Sequence, residues 1–322
     1  MKRLLFILLC LTVSISGYAQ KIKVACVGNS ITYGSRVENR EQNSYPAQLQ
    51  KLLGDEYEVK NFGVSATTAL YKGLYPYVEK EKYNESLEYN PDIVIIKLGT
   101  NDANERNDAY RSTFGVDYRR LVDVYRNLPS KPRVILMTPV RCFLQSDQDK
   151  VITSEIIPII EQTAHERDLD IINLHNLFGD KWPADLMPDK LHPNATGAGM
   201  LAQKIYEYLT VDKQEEDIIA NFPLKPVKEF NFHGYKGYEY NNNGVKYYIV
   251  KPHHVAKGNP WIWRARFWGH EPQVDIDLLE QGFHLTYCDV ADLFGSYKAV
   301  ARWDRFYELA TDAGLNKKAV LE

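Results

Sequence analysis

The chain has 322 residues, with 39 lysines and arginines against 42 aspartates and glutamates, and a formal net charge of −3 at pH 7. A slightly acidic chain without a basic cluster is not typical of a nucleic-acid-binding protein, so we predict no nucleic acid partner. Beyond the first 19 residues the cysteines are Cys26, Cys142 and Cys288, which are far apart and odd in number. This set predicts neither a disulfide framework nor a zinc site, and we expect no metal and no cofactor.

The amino-terminal segment is typical of an export signal. Residues 1–19 begin with a basic pair, continue with the apolar run LLFILLCLTVSIS and end in GYA, with small residues on either side of the tyrosine. A membrane anchor is the alternative interpretation, but the apolar run is short for a bilayer span. We therefore expect cleavage near Ala19, export to the periplasm or the cell exterior, and no membrane insertion.

Residues 20–212 alternate between strand patterns and helix patterns. The run KIKVACVG is the first predicted strand, and four more follow: YEVKNFGVSA, PDIVIIKLGTND, RVILMTPV and LDIINLH. Helix patterns occur in YPAQLQKLLG, over 111–127, over 154–167 and in NATGAGMLAQKIYEYL. Strands separated by helices of this length predict a parallel, doubly wound α/β sheet.

Polar residues follow three of these strands. Ser30, Gly63 and Asn101 each come just after a different apolar run, and the carboxyl ends of parallel strands share the sheet edge where ligands bind. The loop DKLHPN adds Asp189 and His192, three residues apart, just before the last helix. A hydroxyl becomes an effective nucleophile when a base takes its proton and a third group orients that base. The set predicts a serine, histidine and aspartate acting together.

Each of these residues also has a purely structural interpretation. Ser30 and Asn101 could cap helices, Gly63 could be a turn glycine, and His192 could be an ordinary surface histidine. Four such residues at four predicted loop ends favour the catalytic interpretation. The backbone N–H groups of Ser30 and Gly63, with the side chain of Asn101, could then supply an oxyanion hole.

At this point four segments resemble the sequence blocks of the SGNH/GDSL hydrolases: GNSIT, NFGVSA, LGTND and DKLH. The resemblance covers about residues 21–210 and implies a flavodoxin-like three-layer α/β/α domain that hydrolyses esters by acyl transfer. It implies Ser30 as nucleophile, His192 as general base and Asp189 as its orienting partner, with Ser30, Gly63 and Asn101 holding the oxyanion.

One residue departs from the pattern of that family. Asn29 stands where the family has aspartate. Because asparagine can still make the hydrogen bonds of a turn, we expect the nucleophile loop to form. A role that needs a negative charge beside the nucleophile is not expected here.

The second half of the chain has a different character. Residues 213–229 are charged and then interrupted by prolines, which predicts a linker. Within 230–322, FNFHGYKGYEY and VKYYIVKP are joined by NNNG, a hairpin signal. The order of elements resembles the opening part of an α/β-hydrolase, with an oxyanion-type loop near WGHEP and a strand at KKAVLE, but the chain contains no G-x-S-x-G. We expect a partial, non-catalytic hydrolase-like segment, and the alternative is an accessory module in which WIWRARFW binds sugar.

The combination of an export signal, an esterase domain and a hydrolase-like segment resembles deacetylases of complex glycans. We expect a secreted serine esterase that removes O-acetyl groups from an acetylated carbohydrate, either sialic acid or a plant polysaccharide. Two alternatives remain: a lipase or acyl-thioesterase of the same family, and a glycan-binding protein that keeps the esterase fold without turnover.

Overall fold

The computed structural model describes residues 20–214 and 218–322, so the predicted export signal over 1–19 lies outside the described residues. Within those two ranges, no helix combines the length and the apolar character that crossing a membrane requires.

The first half is built on a five-stranded sheet in which all neighbouring strands are parallel. Its strands are β1 (Ile22–Gly28), β2 (Tyr57–Gly63), β3 (Ile93–Lys97), β4 (Arg133–Met137) and β5 (Asp170–Ile172). They lie in the order β2-β1-β3-β4-β5. The register places Gly28 beside Gly63 and beside Lys97, so β1, β2 and β3 end at the same level of one edge. The predicted parallel α/β sheet is confirmed.

Nine helices accompany this sheet in the described chain: α1 (Ser30–Tyr33), α2 (Arg40–Asn43), α3 (Tyr45–Leu53), α4 (Glu81–Glu88), α5 (Asp108–Arg111), α6 (Phe114–Arg126), α7 (Ser146–Val151), α8 (Ile157–Arg167) and α9 (Ala195–Thr210). A π-helical turn over Ile152–Ile156 joins α7 to α8, so the helix predicted over 154–167 begins earlier than expected. The helix α3 ends immediately before Gly54, which has a φ of 72°. The sequence predicted that the helix would stop at this glycine.

The residues of each strand alternate between two apolar layers, because successive side chains point to opposite faces of a sheet. Val24 and Cys26 pack with α3 and α9 on one face. Ala25 and Val27 belong to the layer of α6 and α8 on the other face. Covering both faces with helices explains why the strands read as continuous apolar runs.

The second half contains a mixed sheet and a separate pair of short strands. The strands of this half are β6 (Lys213–Gln214), β7 (Lys228–Phe232), β8 (Tyr235–Asn242), β9 (Val245–Lys251), β10 (Val255–Ala256), β11 (Trp261–Arg264), β12 (His284–Cys288) and β13 (Val320–Leu321). The helices of this half are α10 (Ile218–Asn221), α11 (Gln273–Glu280) and α12 (Tyr297–Asp312). Six strands form one sheet in the order β13-β11-β12-β9-β8-β7, and β6 pairs with β10. The predicted hairpin is β8–β9, which turns through Asn243 and Gly244, both at positive φ. The likeness to an α/β-hydrolase stays a prediction.

The structure bears on two expectations for this half. Residues 213–229, predicted as a linker, include β6 and α10, and Ile218 and Phe222 are buried in the core of the second half; the linker assignment stays a prediction. Trp261 of the WIWRARFW run is fully buried, and Trp263 stacks on Tyr307 within the same core. These two indole rings are therefore packing groups rather than an open platform for sugar.

The two halves share apolar and polar contacts. Tyr235, Val250 and Leu279 of the second half belong to the same buried cluster as the α6 and α8 layer of the first half. Glu280, at the end of α11, accepts a hydrogen bond from the Asn173 N–H at 2.6 Å and lies 2.9 Å from Lys204 Nζ of α9. Burial opposes its ionisation and, despite Lys204, raises the pKa of Glu280 to about 7.

Candidate active site

The strand β1 delivers Ser30 to the sheet edge through a tight turn. A Cβ atom at Gly28 would lie 2.1 Å from Thr32 Oγ1 and 2.7 Å from the Lys97 carbonyl oxygen, so only glycine allows this close approach. Ser30 is the first residue of α1 and is half-buried. Its hydroxyl therefore lies at the carboxyl end of a central strand, as predicted.

Asn29 caps the helix that carries the serine. It is fully buried, and its Oδ1 accepts a hydrogen bond from the Ile31 N–H at 3.2 Å. Its Nδ2 has no hydrogen-bond partner in the described part of the chain. The turn forms with an amide in place of the carboxylate of the family pattern, in agreement with the expectation for this residue.

Three side chains meet in the geometry that the sequence predicted. His192 Nε2 lies 2.9 Å from Ser30 Oγ, and His192 Nδ1 lies 2.7 Å from Asp189 Oδ2. A carboxylate on Nδ1 favours the tautomer that carries the proton there, which leaves Nε2 free to accept the serine proton. The arrangement can therefore activate a hydroxyl.

Asp189 organises its own loop as well as the imidazole. Its Oδ1 accepts hydrogen bonds from the backbone N–H groups of Leu191, at 3.0 Å, and His192, at 2.7 Å. Burial opposes ionisation of this carboxyl, but the hydrogen bonds from His192 and Leu191 outweigh it and hold the pKa of Asp189 below its usual range. The group is thus ionised and acts as an acceptor at neutral pH.

Asn101 lies in a loop network next to this site. Its side-chain Nδ2 donates to the Thr67 backbone carbonyl oxygen at 2.9 Å. Its backbone carbonyl oxygen accepts a hydrogen bond from Asn107 Nδ2, also at 2.9 Å. Because an amide NH2 group has two hydrogens, one remains available after the bond to Thr67. Asp102 ties the same loop down, since its Oδ1 accepts from the N–H groups of Ala69 and Leu70 at 2.8 and 2.9 Å.

The structure gives Gly63 a different role from the predicted one. Its N–H donates to Asn61 Oδ1 at 2.9 Å, so this hydrogen is already engaged. A Cβ at Gly63 would lie 2.2 Å from the Tyr33 backbone nitrogen and 2.6 Å from the Thr32 carbonyl carbon. Gly63 therefore lets β2 pack against the backbone of the nucleophile helix, and another N–H is needed for the oxyanion hole.

Sequence reasoning missed Ala66, three residues further along the same loop. Its φ of 65° is left-handed, which is unfavourable for an alanine. Its N–H makes no hydrogen bond to any described residue. The adjacent Ser65 bonds through its Oγ to Ser35 Oγ at 2.8 Å, which ties this loop to the end of the nucleophile turn.

A buried lysine completes the surroundings of the site. Lys97 ends β3, is fully buried, and has its Nζ 3.4 Å from Thr100 Oγ1, next to Asn101. Burial lowers the pKa of Lys97 to about 7. The apolar pattern of β3 gave no indication that this residue would be enclosed.

Asp189 and His192 border a cavity of about 420 Å³, and Arg36 and Pro188 also line it. Within 20–214 and 218–322, no group of three or more His, Cys, Asp or Glu side chains is arranged to hold a metal ion.

The sequence model of the GDSL-like lipase/acylhydrolase family matches residues 26–199, which is more than half of the chain. Over 206 residues the chain is 42% identical to an acetylxylan esterase from Xylanibacter ruminicola. The match covers 57% of this chain and 42% of that protein, so the chain spans about two fifths of the length of the curated relative.

Solved structures give low-identity matches that cover a little more than half of the chain. An acetylxylan esterase from Geobacillus stearothermophilus, solved as a catalytic mutant, is 22% identical with a TM-score of 0.46, and the match covers 57% of this chain and 93% of that one. A carbohydrate acetylesterase from Sinorhizobium meliloti is 18% identical with a TM-score of 0.47, covering 59% and 98%. The aryl esterase of M. smegmatis is 17% identical with a TM-score of 0.46, covering 58% and 98%.

Proposed function

Because the chain belongs to the GDSL-like lipase/acylhydrolase family, we propose that it removes O-acetyl groups from carbohydrates through an acyl-enzyme. The observation that carries the proposal is the contact series from Ser30 Oγ through the ring of His192 to Asp189, at 2.9 and 2.7 Å. The name of the curated relative, an acetylxylan esterase, supports an acetylated polysaccharide as substrate.

In the first step Ser30 Oγ attacks the acetyl carbonyl carbon while His192 Nε2 takes the hydroxyl proton. The resulting imidazolium is stabilised by Asp189, whose lowered pKa keeps it ionised. His192 then returns the proton to the sugar oxygen as the carbon–oxygen bond breaks. The sugar leaves with a free hydroxyl, and the acetyl group remains on the serine.

The tetrahedral intermediate carries its negative charge on the former carbonyl oxygen. We assign three donors to this oxygen: the N–H groups of Ser30 and Ala66 and the second hydrogen of Asn101 Nδ2. Ala66 replaces Gly63 in this assignment because the Gly63 N–H is bound to Asn61 Oδ1. Donors fixed before the reaction stabilise the transition state more than the neutral ester, since the charge develops only there.

The second step repeats the first with water as the nucleophile. His192 Nε2 takes a proton from water, the hydroxide attacks the acetyl-serine, and His192 returns the proton to Ser30 Oγ as acetate leaves. One ester bond and one water molecule are consumed, giving an alcohol and acetate, and no cofactor takes part.

The substrate is best supported as an acetylated plant polysaccharide of the xylan type, given the 42% identical relative. O-acetyl sialic acid is the second carbohydrate candidate. A lipase or thioesterase would need room for a long acyl chain, and the cavity at His192 is about 420 Å³ with a charged lining. A sugar-binding protein without turnover has no use for the aligned Ser30 and His192.

The proposed place of action is outside the cytoplasm, on the strength of the sequence pattern over 1–19. Expression of the full chain in a bacterial host, fractionation and mass measurement of the amino terminus test this directly. We expect periplasmic or secreted protein that begins at Gln20. A cytoplasmic, full-length product would overturn the export proposal and leave the esterase proposal intact.

An acetate-release screen across acetylated xylan, acetylated pectin and O-acetyl sialosides tests the function. We expect the highest rate on xylan, and a loss of at least about 10³-fold in the variant Ser30→Ala. The matched control is Ser296→Ala, because Ser296 is exposed at the start of α12 and its side chain makes no capping hydrogen bond. Equal activity in Ser30→Ala and Ser296→Ala would rule out Ser30 as the nucleophile.

A further inference from the structure

A basic groove lies beside the nucleophile turn. It is a cavity of about 610 Å³ whose lining includes Tyr33, from the helix that begins with Ser30, and Gly63, from the end of β2. Four cations line it: Arg40, Lys51, Lys60 and Lys82. The acidic residue that lines it is Glu41. Since the whole chain has a net charge of −3, this is a local reversal of sign next to the catalytic serine.

The groove keeps a positive charge after its ion pairs are counted. Arg40, Lys60 and Lys82 each pair with one glutamate, namely Glu41, Glu58 and Glu85. These pairs are solvent-accessible and therefore weak, so an incoming anion can compete for the cations. Lys51 differs, because its Nζ donates to the neutral Gln42 carbonyl at 2.7 Å and its charge is not cancelled by a paired carboxylate.

A fifth cation, Arg36, lines the separate cavity at Asp189 and His192. The Arg36 side chain is 78% exposed, and its Nε is 3.9 Å from Asp189 Oδ2, which is too long for a hydrogen bond. Its φ of 67° is left-handed, a conformation that costs energy for a residue other than glycine. The Arg36 guanidinium therefore lies at the edge of this cavity and is mostly exposed to solvent.

An aromatic side chain joins these cations at the same turn. Tyr33 is 38% exposed, and the guanidinium carbon of Arg40 lies 4.0 Å from the centre of its ring. Exposed aromatic faces and guanidinium groups together suit a sugar that carries a carboxylate, since the ring contacts apolar C–H groups and the guanidinium pairs with the anion.

We propose that the substrate carries carboxylated sugars, and that the basic groove and Arg36 bind those carboxylates near Ser30. The inference rests on the proposed deacetylase function and adds the charge class of its substrate. Uronic acid units on an acetylated plant polysaccharide and sialic acid share this chemistry. Among these five cations, Lys51 has no paired carboxylate, and the carboxylate nearest Arg36 is 3.9 Å away, beyond hydrogen-bond distance.

The test compares two matched acetylated xylo-oligosaccharides of equal length, one neutral and one with a single uronic acid branch. Dissociation constants by titration calorimetry and kcat/KM by acetate release are measured for both. We expect the acidic oligosaccharide to be favoured by about five- to tenfold at low salt, and the preference to fall when salt reaches about 0.5 M. An O-acetyl sialoside as a third ligand distinguishes the two sources of carboxylate.

Single substitutions test which cations produce the preference for the acidic oligosaccharide. Arg36→Gln and Lys51→Gln should each lower the acidic-to-neutral ratio by about two- to fivefold, and Lys51→Arg should retain it. The control Lys228→Gln removes an exposed charge from β7 in the second half and should leave the ratio unchanged. A ratio of one in the unmodified protein, or a ratio that survives in both Gln variants, overturns the proposal.

Calorimetry uses the Ser30→Ala variant, so binding is measured without turnover and the two proposals fail separately. If the protein prefers the acidic oligosaccharide in calorimetry but releases no acetate from any substrate, the charge assignment stands and the esterase function falls. If acetate is released equally from both oligosaccharides and they bind equally, the esterase function stands and the charge assignment falls.

Discussion

The carboxylate of Asp189 contacts His192 twice, through Oδ1 to the backbone N–H and through Oδ2 to the ring Nδ1, each at 2.7 Å. The first contact fixes the loop and the second fixes the ring. One side chain three residues before the histidine therefore sets both the position and the tautomer of the base. The two functions can be separated by substitution.

Asp189→Asn keeps an oxygen for the backbone N–H groups but removes the negative charge facing the imidazole. We expect kcat on a small acetyl ester to fall by about 10²–10⁴-fold with little change in melting temperature. Asp189→Ala removes the loop contacts as well and should lower both kcat and the melting temperature. If Asp189→Asn retained normal kcat, the carboxylate would be a structural group only.

Asn101→Ala removes a proposed oxyanion donor and the bond to the Thr67 carbonyl. The lost donor should lower kcat by about 10²–10³-fold with a small change in KM, and the lost loop bond should cost about 1 kcal/mol of unfolding free energy. Steady-state kinetics and urea unfolding measure the two effects. Asn107→Ala disturbs the same loop from outside the site and should affect stability more than kcat, so equal kcat losses in both variants would contradict the donor role.

Ala66→Gly should relieve the left-handed backbone strain at φ 65°. We expect the unfolding free energy to rise by about 1 kcal/mol with activity retained, because glycine adopts this conformation without a Cβ penalty and keeps the N–H. Gly63→Ala is the contrasting change, since its new Cβ would collide with the Tyr33 backbone. It should lose stability and turnover together, and a tolerated Gly63→Ala would argue against the close approach described above.

Lys97→Met removes a buried cation whose Nζ contacts the Thr100 hydroxyl and whose pKa is lowered to about 7 by burial. The folded chain releases the Lys97 proton more readily than the unfolded chain does. Below pH 7 the lysine is charged in both states, and its full destabilising effect is present. The unfolding free energy then increases as the pH rises from 7 towards 10.5. At pH 6 the unfolding free energy of the variant should be roughly 3–5 kcal/mol higher than that of the unmodified protein. The variant should not show the increase in stability between pH 7 and pH 10.5. Urea unfolding at pH 6 and pH 9 measures both, and a variant less stable at pH 6 would show that Lys97 is a net stabilising group.

The contact between Ser30, His192 and Asp189 was predictable because their positions follow from topology. Ser30 comes directly after an apolar strand, and the carboxyl ends of parallel strands must share an edge. Asp189 and His192 are close in sequence, so their contact needs only one turn of chain. These relationships depend on strand ends and spacing, which the sequence displays.

The proposed oxyanion donor Ala66 was not predictable in the same way. Gly63 was the visible glycine of its loop, yet its N–H is engaged by Asn61, and the strained residue is Ala66. An alanine carries no sign of a left-handed backbone, since that conformation is imposed by the surrounding fold. The basic groove was hidden for a related reason. Arg40 lies in α2 and Lys82 in α4, 42 positions apart, and they line one cavity only because α2 packs on α3 while α3 and α4 both pack on β2.

The shared buried cluster has a consequence for how the chain denatures. Tyr235, Val250 and Leu279 complete an apolar layer that also contains Ile160 and Ile171 of the first half. Neither half can melt without exposing apolar surface of the other, so heat should produce one calorimetric transition whose van't Hoff and calorimetric enthalpies agree. A cavity made at Val250, far along the chain from Ser30, would then lower the temperature at which the esterase half loses its structure.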